Sequence, residues 1–168
     1  LLRSSLPQLQ GELALQGLSA PVSIARDANG TVTVDAANER DMARALGYVH
    51  AQERYFEMDL MRRAAAGELA ELFGPAAVPL DRKMRVHRLR ERTHANLDAA
   101  LGDKRAVLEA YRDGVNAGLA ALKVRPWPYL LLRQQPRSWQ LDDSVLAGLA
   151  MYADLQDPAN TRELALER

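Results

Sequence analysis

The stretch from Asn38 to Gly74 constrains the fold more than any other part of the chain. It contains "GYVHAQERYFEMDLMRRAAAGELAELFG" at residues 47–74. Asn38, with Asp41 three residues later, resembles a capping box that opens a helix, and Gly67 is a fitting C-terminal stop. Met42, Leu46, Val49, Phe56 and Leu60 line one face of this helix, while Tyr48, Tyr55, Met58 and Met61 fall on its other sides. A helix that is apolar nearly all round is expected to lie buried between layers, so the rest of the fold must supply neighbours on several sides. His50, Glu53 and Glu57 stand at i, i+3 and i+7 on the same helix, and Glu53 falls inside the apolar stripe. A buried carboxylate must be paired or protonated. The predicted role of these carboxylates and of the neighbouring arginines is therefore that of internal ties, with Glu53 the most shielded. Metal ligation or acid–base chemistry by His50, Glu53 and Glu57 is the competing reading.

Residues 1–37 read as strands that leave edges for other chain to complete. "ELALQGL", "VSIARD" and "TVTVDAA" are β-rich or alternating, and Asn29-Gly30 signals a hairpin. Three short strands make a poor sheet alone. After Gly74 a second helix is predicted from Asp81 to Ala100. Its buried stripe is Val86, Leu89, Thr93, Leu97 and Ala100, and its solvated basic face is Arg82, Lys83, Arg85, Arg88, Arg90 and Arg92. A third helix follows Gly102, with Leu108, Tyr111, Val115 and Leu122 as its stripe. Ala110, Gly114 and Gly118 recur every four residues there. Interior glycines cost ~1 kcal/mol each, so this spacing predicts close approach of another backbone. A Pro-rich connection carries Trp127 and Trp139, "LDDSVLAGLAMYADL" is a fourth helix, and "NTRELALER" begins a fifth.

Composition removes several chemistries. The chain has 168 residues with 22 Lys+Arg against 22 Asp+Glu, so no bulk field favours nucleic acid or an anionic membrane. It has no cysteine, which rules out disulfides, thiolate metal sites and a Cys nucleophile. No run approaches the ~18 apolar residues of a membrane span, and "LLRSSLPQLQ" has no signal-peptide core. No serine sits in a G-x-S-x-G elbow. His87, Glu91 and His94 have a ligand-like spacing but lie beside the basic stripe, where a solvated face is expected. Read residue by residue, the chain holds no complete active site.

The ordered motifs do carry a resemblance. Residues 47–63 fit the pattern G-Y-x-x-A-Q-D/E-R-x-F-x-M-D/E-x-x-R-R, followed by Gly67, Glu71 and Gly74. "YRDGVNAGL" fits a Tyr-x-x-Gly-x-Asn helix, and "RSWQLDDSVLAGLAMYADL" a Trp followed by a helix. In this series the chain resembles, from about residue 20 to its end, the α subunits of the penicillin acylase family. The resemblance implies an α+β fold, with this mainly helical subunit adding strands and helices to a four-layer αββα N-terminal nucleophile hydrolase shared with a larger β subunit. Residues 1–168 are then one α-subunit segment, 1–37 strands and 38–168 helical, and not an independent domain. It also implies a catalytic serine at the start of the β subunit, with none of the catalytic residues in this chain. The serine hydroxyl attacks the amide carbonyl, and its own α-amino group is the base. The fourth helix ends over the acyl pocket in that family. Met151 aligns with a pocket methionine, Leu155 with a phenylalanine of penicillin G acylases, and Asp154 with an arginine near the leaving-group carboxylate. Leu155 and Asp154 together favour N-acyl-homoserine lactones over penicillins. Glu163, with Asp157 as a competing choice, aligns near the α-subunit ligand of a structural calcium; no organic cofactor is implied. The expected partners are the β subunit and a small acyl amide, with no nucleic acid and no membrane, and the expected location is periplasmic or secreted. The rival readings are a helical scaffold protein that uses the Trp127–Trp139 segment as its contact surface, and a metal enzyme built on His50, Glu53 and Glu57.

Overall fold

The structure, a computed structural model, describes residues 6–156 and 165–166. Among the described residues two strands, β1 (Ser23–Arg26) and β2 (Val32–Asp35), precede seven α-helices. These are α1 (Glu39–Ala66), α2 (Ala70–Phe73), α3 (Val78–Arg85), α4 (Leu89–Leu101), α5 (Arg105–Ala121), α6 (Trp127–Leu132) and α7 (Leu141–Leu155). Short 3₁₀ turns at Gly74–Ala77 and Gly102–Lys104 join α2 to α3 and α4 to α5. The chain is thus mainly helical with a small antiparallel sheet, as the α+β reading expects.

The strands form the hairpin signalled by Asn29-Gly30, paired from Ser23↔Asp35 to Arg26↔Val32. Gly30 supplies the positive φ, 82°. Asp27 organises the turn, its carboxylate accepting from the backbone N–H of Asn29 at 2.9 Å and of Thr31 at 2.8 Å. The expected third strand, "ELALQGL", is not one: residues 12–18 run as irregular chain with a turn at Gln16-Gly17. A side chain rather than a strand ladder holds this segment, since Arg44 donates to the Gln16 carbonyl at 3.2 Å.

Helix α1 begins as expected. Asn38 is its N-cap and accepts from the Asp41 N–H at 2.9 Å. It ends on Gly67 in the left-handed conformation. Between these points it is not one regular helix, because Arg54 has non-helical angles (φ −145°, ψ 29°). That kink resets the helical phase, and the expected stripe does not survive it. Val49 is buried, Leu46, Phe56 and Leu60 are half-buried, and Met42 is exposed. The buried face instead includes Ala45, Gly47, Tyr48, Val49 and Ala51 before the kink and Tyr55, Met58, Asp59, Arg62 and Arg63 after it.

The first half of α1 packs on α5 backbone to backbone. A Cβ on Gly114 would lie 2.0 Å from the Arg44 carbonyl oxygen, and one on Gly118 would lie 2.3 Å from that of Tyr48. From the other side, a Cβ on Gly47 would lie 2.3 Å from the Tyr111 carbonyl oxygen. The spacing of Ala110, Gly114 and Gly118 therefore does what it predicts. Beneath this seam Ala51, Tyr55, Met58, Leu72, Val115, Tyr129 and Trp139 form the core.

The predicted helix 81–100 is two helices. The chain turns at Val86–Arg88, where Arg88 takes a left-handed conformation (φ 50°). Val86, expected in the buried stripe, is 79% exposed, and Ala100 is exposed as well. Breaking the helix there removes the periodicity that would have buried them. Helix α7 spans the residues expected of it, Leu141–Leu155.

Candidate functional site

The most heavily built cluster of polar groups in the described residues lies where α1, α4, α6 and α7 meet. Asp59, fully buried, accepts from Arg62 Nε at 2.7 Å, from Arg63 Nε at 2.9 Å and from the Tyr129 hydroxyl at 2.6 Å. Arg62 also donates to Asp143 and to the Ser138 carbonyl, and lies over the Trp139 ring at 5.1 Å. Arg63 reaches Glu71 at 2.5 Å. Arg90 from α4 grips both Glu68 oxygens at 2.6 and 3.0 Å and contacts Asp143 at 3.1 Å and Asp142 at 3.3 Å. Burial pushes the Tyr129 hydroxyl strongly upward in pKa, and its bond to Asp59 pushes the same way. Tyr129 is thus a neutral donor at any ordinary pH.

Four arginines and two carboxylates line a cleft of about 520 Å³ beside this cluster. Each buried charge already has an opposite partner within hydrogen-bond reach. Such saturation favours a tie over a reactive centre. The expectation of internal ties thus holds for Asp59, Arg62 and Arg63, and misses Glu53. Glu53 is paired, with Arg26 of β1, but it lies on the exposed side of α1. The most shielded carboxylate of the helix is Asp59. Its spacing from Arg62 and Arg63, i+3 and i+4, is the signal in the sequence that points to it.

The other sequence candidates do not converge. His50 Nδ1 lies 2.9 Å from the Tyr111 hydroxyl, and burial lowers the His50 pKa. Glu57 is exposed, as are His87, Glu91 and His94, with Glu91 paired to Arg88. Among the described residues, no group of three or more His, Cys, Asp or Glu side chains could hold a metal ion. Glu163 and Asp157 lie outside the described residues, as does most of the expected fifth helix.

The candidates on α7 do come together. The first turn of this helix is locked: Gln140 and Asp143 form a reciprocal capping box, and Leu146 is fully buried. Just before it, Asn116 of α5 holds the Trp139 backbone at both its N–H (2.7 Å) and its carbonyl (2.9 Å). The far end is free. Met151 is 56% exposed, Tyr152 62% and Leu155 76%, and Asp154 is exposed beside them. Met151, Asp154 and Leu155 occupy one turn, so a single surface can receive all three.

The model of the family described as penicillin amidase matches residues 21–168. The chain belongs to the penicillin amidase family. It is 40% identical to penicillin acylase 2 proenzyme from Pseudomonas sp. strain SE83 over 139 residues, which are 83% of this chain and 18% of that protein. It is 36% identical to the acyl-homoserine lactone acylase QuiP from Pseudomonas aeruginosa over 166 residues, 96% of this chain and 20% of that protein. The chain therefore spans about a fifth of the length of these curated relatives. Among solved structures it is similar to a thermostable penicillin G acylase from Alcaligenes faecalis, with a TM-score of 0.72 and 28% identity, covering 88% of this chain and 80% of that one.

Within the penicillin amidase family pattern, the motif residues now have physical roles. Gly47 and Gly114 make the α1–α5 approach, Asn116 holds Trp139, and Asp59, Arg62 and Arg63 form the buried ion cluster. Of these, Arg62 and Asn116 tie down the start of α7, whose far end is exposed.

Proposed function

We propose that this chain is the α-subunit portion of a two-chain acylase and that residues 1–168 form one segment of it rather than an independent domain. The observation that carries this reading is a difference in coverage. The chain spans only 18% of a relative named as a proenzyme, yet covers 80% of a solved penicillin G acylase chain. A precursor cut into a short and a long chain accounts for both values.

On this reading the longer partner begins with the catalytic serine. Its hydroxyl adds to the carbonyl of a secondary amide while its own α-amino group takes the proton. Hydrogen-bond donors of the partner hold the oxyanion. Collapse of the tetrahedral adduct breaks the C–N bond, the proton passes to the departing amine, and water then releases the acid from the acyl-serine. This chain supplies part of the pocket wall. Met151 and Leu155 offer apolar surface to a flexible acyl chain. Asp154 repels a leaving group that carries a carboxylate, which favours an N-acyl-homoserine lactone over penicillin G. The names of the relatives support both substrate classes. The hairpin, with two open edges, joins a sheet of the partner. Periplasmic or secreted location, and a structural calcium that Glu163 would help hold, belong to the same reading; the calcium takes no part in the steps above.

Expression of the whole precursor tests this. N-terminal sequencing of the purified protein should find a second, larger chain beginning with Ser, and long-chain acyl-homoserine lactone should be cleaved faster than penicillin G. An active, uncut single chain would overturn the two-chain reading, and a strong preference for penicillin G would overturn the substrate assignment.

A further inference from the structure

Sequence pattern places Arg90 on a solvated face of α4, but the fold makes it a hub between three elements. Its guanidinium holds Glu68, just beyond α1, with two bonds, and Asp142 and Asp143, in the first turn of α7, with two more. We propose that Arg90 is a positioning residue for the acyl pocket: by fixing the direction of α7 it sets where Met151 and Leu155 stand, and so the acyl-chain preference. The proposal rests on the acylase reading above.

Two restraints meet at Asp143. Arg62 approaches from within α1 and Arg90 from α4. With both in place α7 cannot tilt about its first turn; with one removed, Asp143 keeps a partner but the helix can pivot. Leu146 is fully buried and Ala147 packs on the core, but from Gly148 to Leu155 no side chain is fully buried, so the outer two turns follow the direction set at the first. Twelve residues separate Asp143 from Leu155, which at 1.5 Å per residue is a lever of ~18 Å. A tilt of a few degrees then moves the pocket wall by roughly 1 Å, enough to cost on the order of 10²-fold when it displaces reacting groups. The nucleophile sits on the partner chain, so the displacement is felt by the acyl tail.

The test uses the enzyme produced from its whole precursor, with N-dodecanoyl- and N-butanoyl-homoserine lactone as substrates. Arg90→Gln should mature normally and leave kcat on the short substrate unchanged. It should raise KM on the long substrate about tenfold, in line with a modest displacement. Arg90→Lys keeps the charge but not the fork, and should fall between the two. The decisive measurement is the cycle with Leu155→Ala. If Arg90 acts through the position of Leu155, then Arg90→Gln in that background should change KM less than twofold. Independent effects of the two substitutions, or equal losses on both substrates, would overturn the proposal. If Arg90→Gln does not mature, Glu68→Gln, which loosens the same clamp from its other side, carries the same expectations. A wild-type enzyme that matures but cleaves neither lactone would sink the substrate assignment and this inference with it. An active wild type with a silent Arg90→Gln would sink this inference alone.

Discussion

Before Arg54, helix α1 meets α5 through backbone; beyond it, the same helix meets α6 and α7 through Asp59 and Arg62. The first contact exists because Gly47, Gly114 and Gly118 carry no side chain. The second exists because Asp59, Arg62 and Arg63 carry charges that have left water together. Close packing tolerates little added volume. A buried ion pair tolerates little loss of either member. The two halves should therefore fail in opposite ways, one on adding atoms and the other on removing charge.

The largest effect is expected in the charged half. Asp59→Ala leaves two buried guanidinium groups and the Tyr129 hydroxyl without their shared acceptor. A stranded buried charge costs about 3–5 kcal/mol. Denaturant unfolding of the full-length protein should show that loss. A loss below about 1 kcal/mol would mean that Asp143 and Glu71 suffice and that the cluster is not a unit. In the glycine half, Gly114→Ala forces a carbon to 2.0 Å from the Arg44 carbonyl oxygen, and two packed helices must part. Overpacking of this kind costs about 2–3 kcal/mol. The same measurement on Gly118→Ala, whose closest approach is 2.3 Å, should give less. Equal losses at both positions would show that the seam yields freely.

These two halves are not equally legible in the sequence. Small residues at a spacing of four inside a helix give up helical propensity, and close approach of a second backbone is what repays that loss. The seam can therefore be read from α5, although its partner Gly47 cannot. The ion cluster is legible as a set of ties, but helical phase carried through Arg54 as though the helix were regular puts Glu53 at its centre instead of Asp59. No proline or glycine marks that kink. The same blind spot joins α3 to α4, since Arg88 adopts a left-handed conformation that its residue type does not announce. Arg90 reads as solvated because a charge in a sequence carries no record of its partner. Glu68 and Asp143 lie 22 and 53 residues away along the chain. What can be read on α7 is its length and its apolar end, both properties of neighbouring residues.

A third prediction concerns where α1 begins. Hydrogen bonds from the Ser19 hydroxyl and N–H, then those from Asn38 and Ala20, lower the Asp41 pKa from 3.8 to about 2. A depressed carboxylate stabilises the fold above its unfolded value and stops doing so as the pH falls through its folded value. Asp41→Asn should therefore melt below wild type at neutral pH. The gap should begin to close below pH 4 and be gone near pH 2. A gap constant across that window would mean that the carboxylate charge is not what holds Ser19 to the helix.

The smallest effect sharpens the comparison most, because it asks whether α7 has a seam of its own. Gly148 lies inside α7, with nothing within 4 Å of where its Cβ would stand. It shares a face with Met151, Tyr152 and Leu155, the exposed apolar residues of that helix. Taken alone, Gly148→Ala should stabilise the helix by up to ~1 kcal/mol. The three glycines of the α1–α5 contact exist because a backbone touches each of them, and a partner chain seated on α7 would make a fourth such contact. On that reading Gly148→Ala lowers the stability of the full-length protein by about 1 kcal/mol net, the overpacking outweighing the gain in propensity. Thermal melting decides by its sign. A rise in melting temperature would mean that this face of α7 stays open, and that the proposed partner chain does not seat on it.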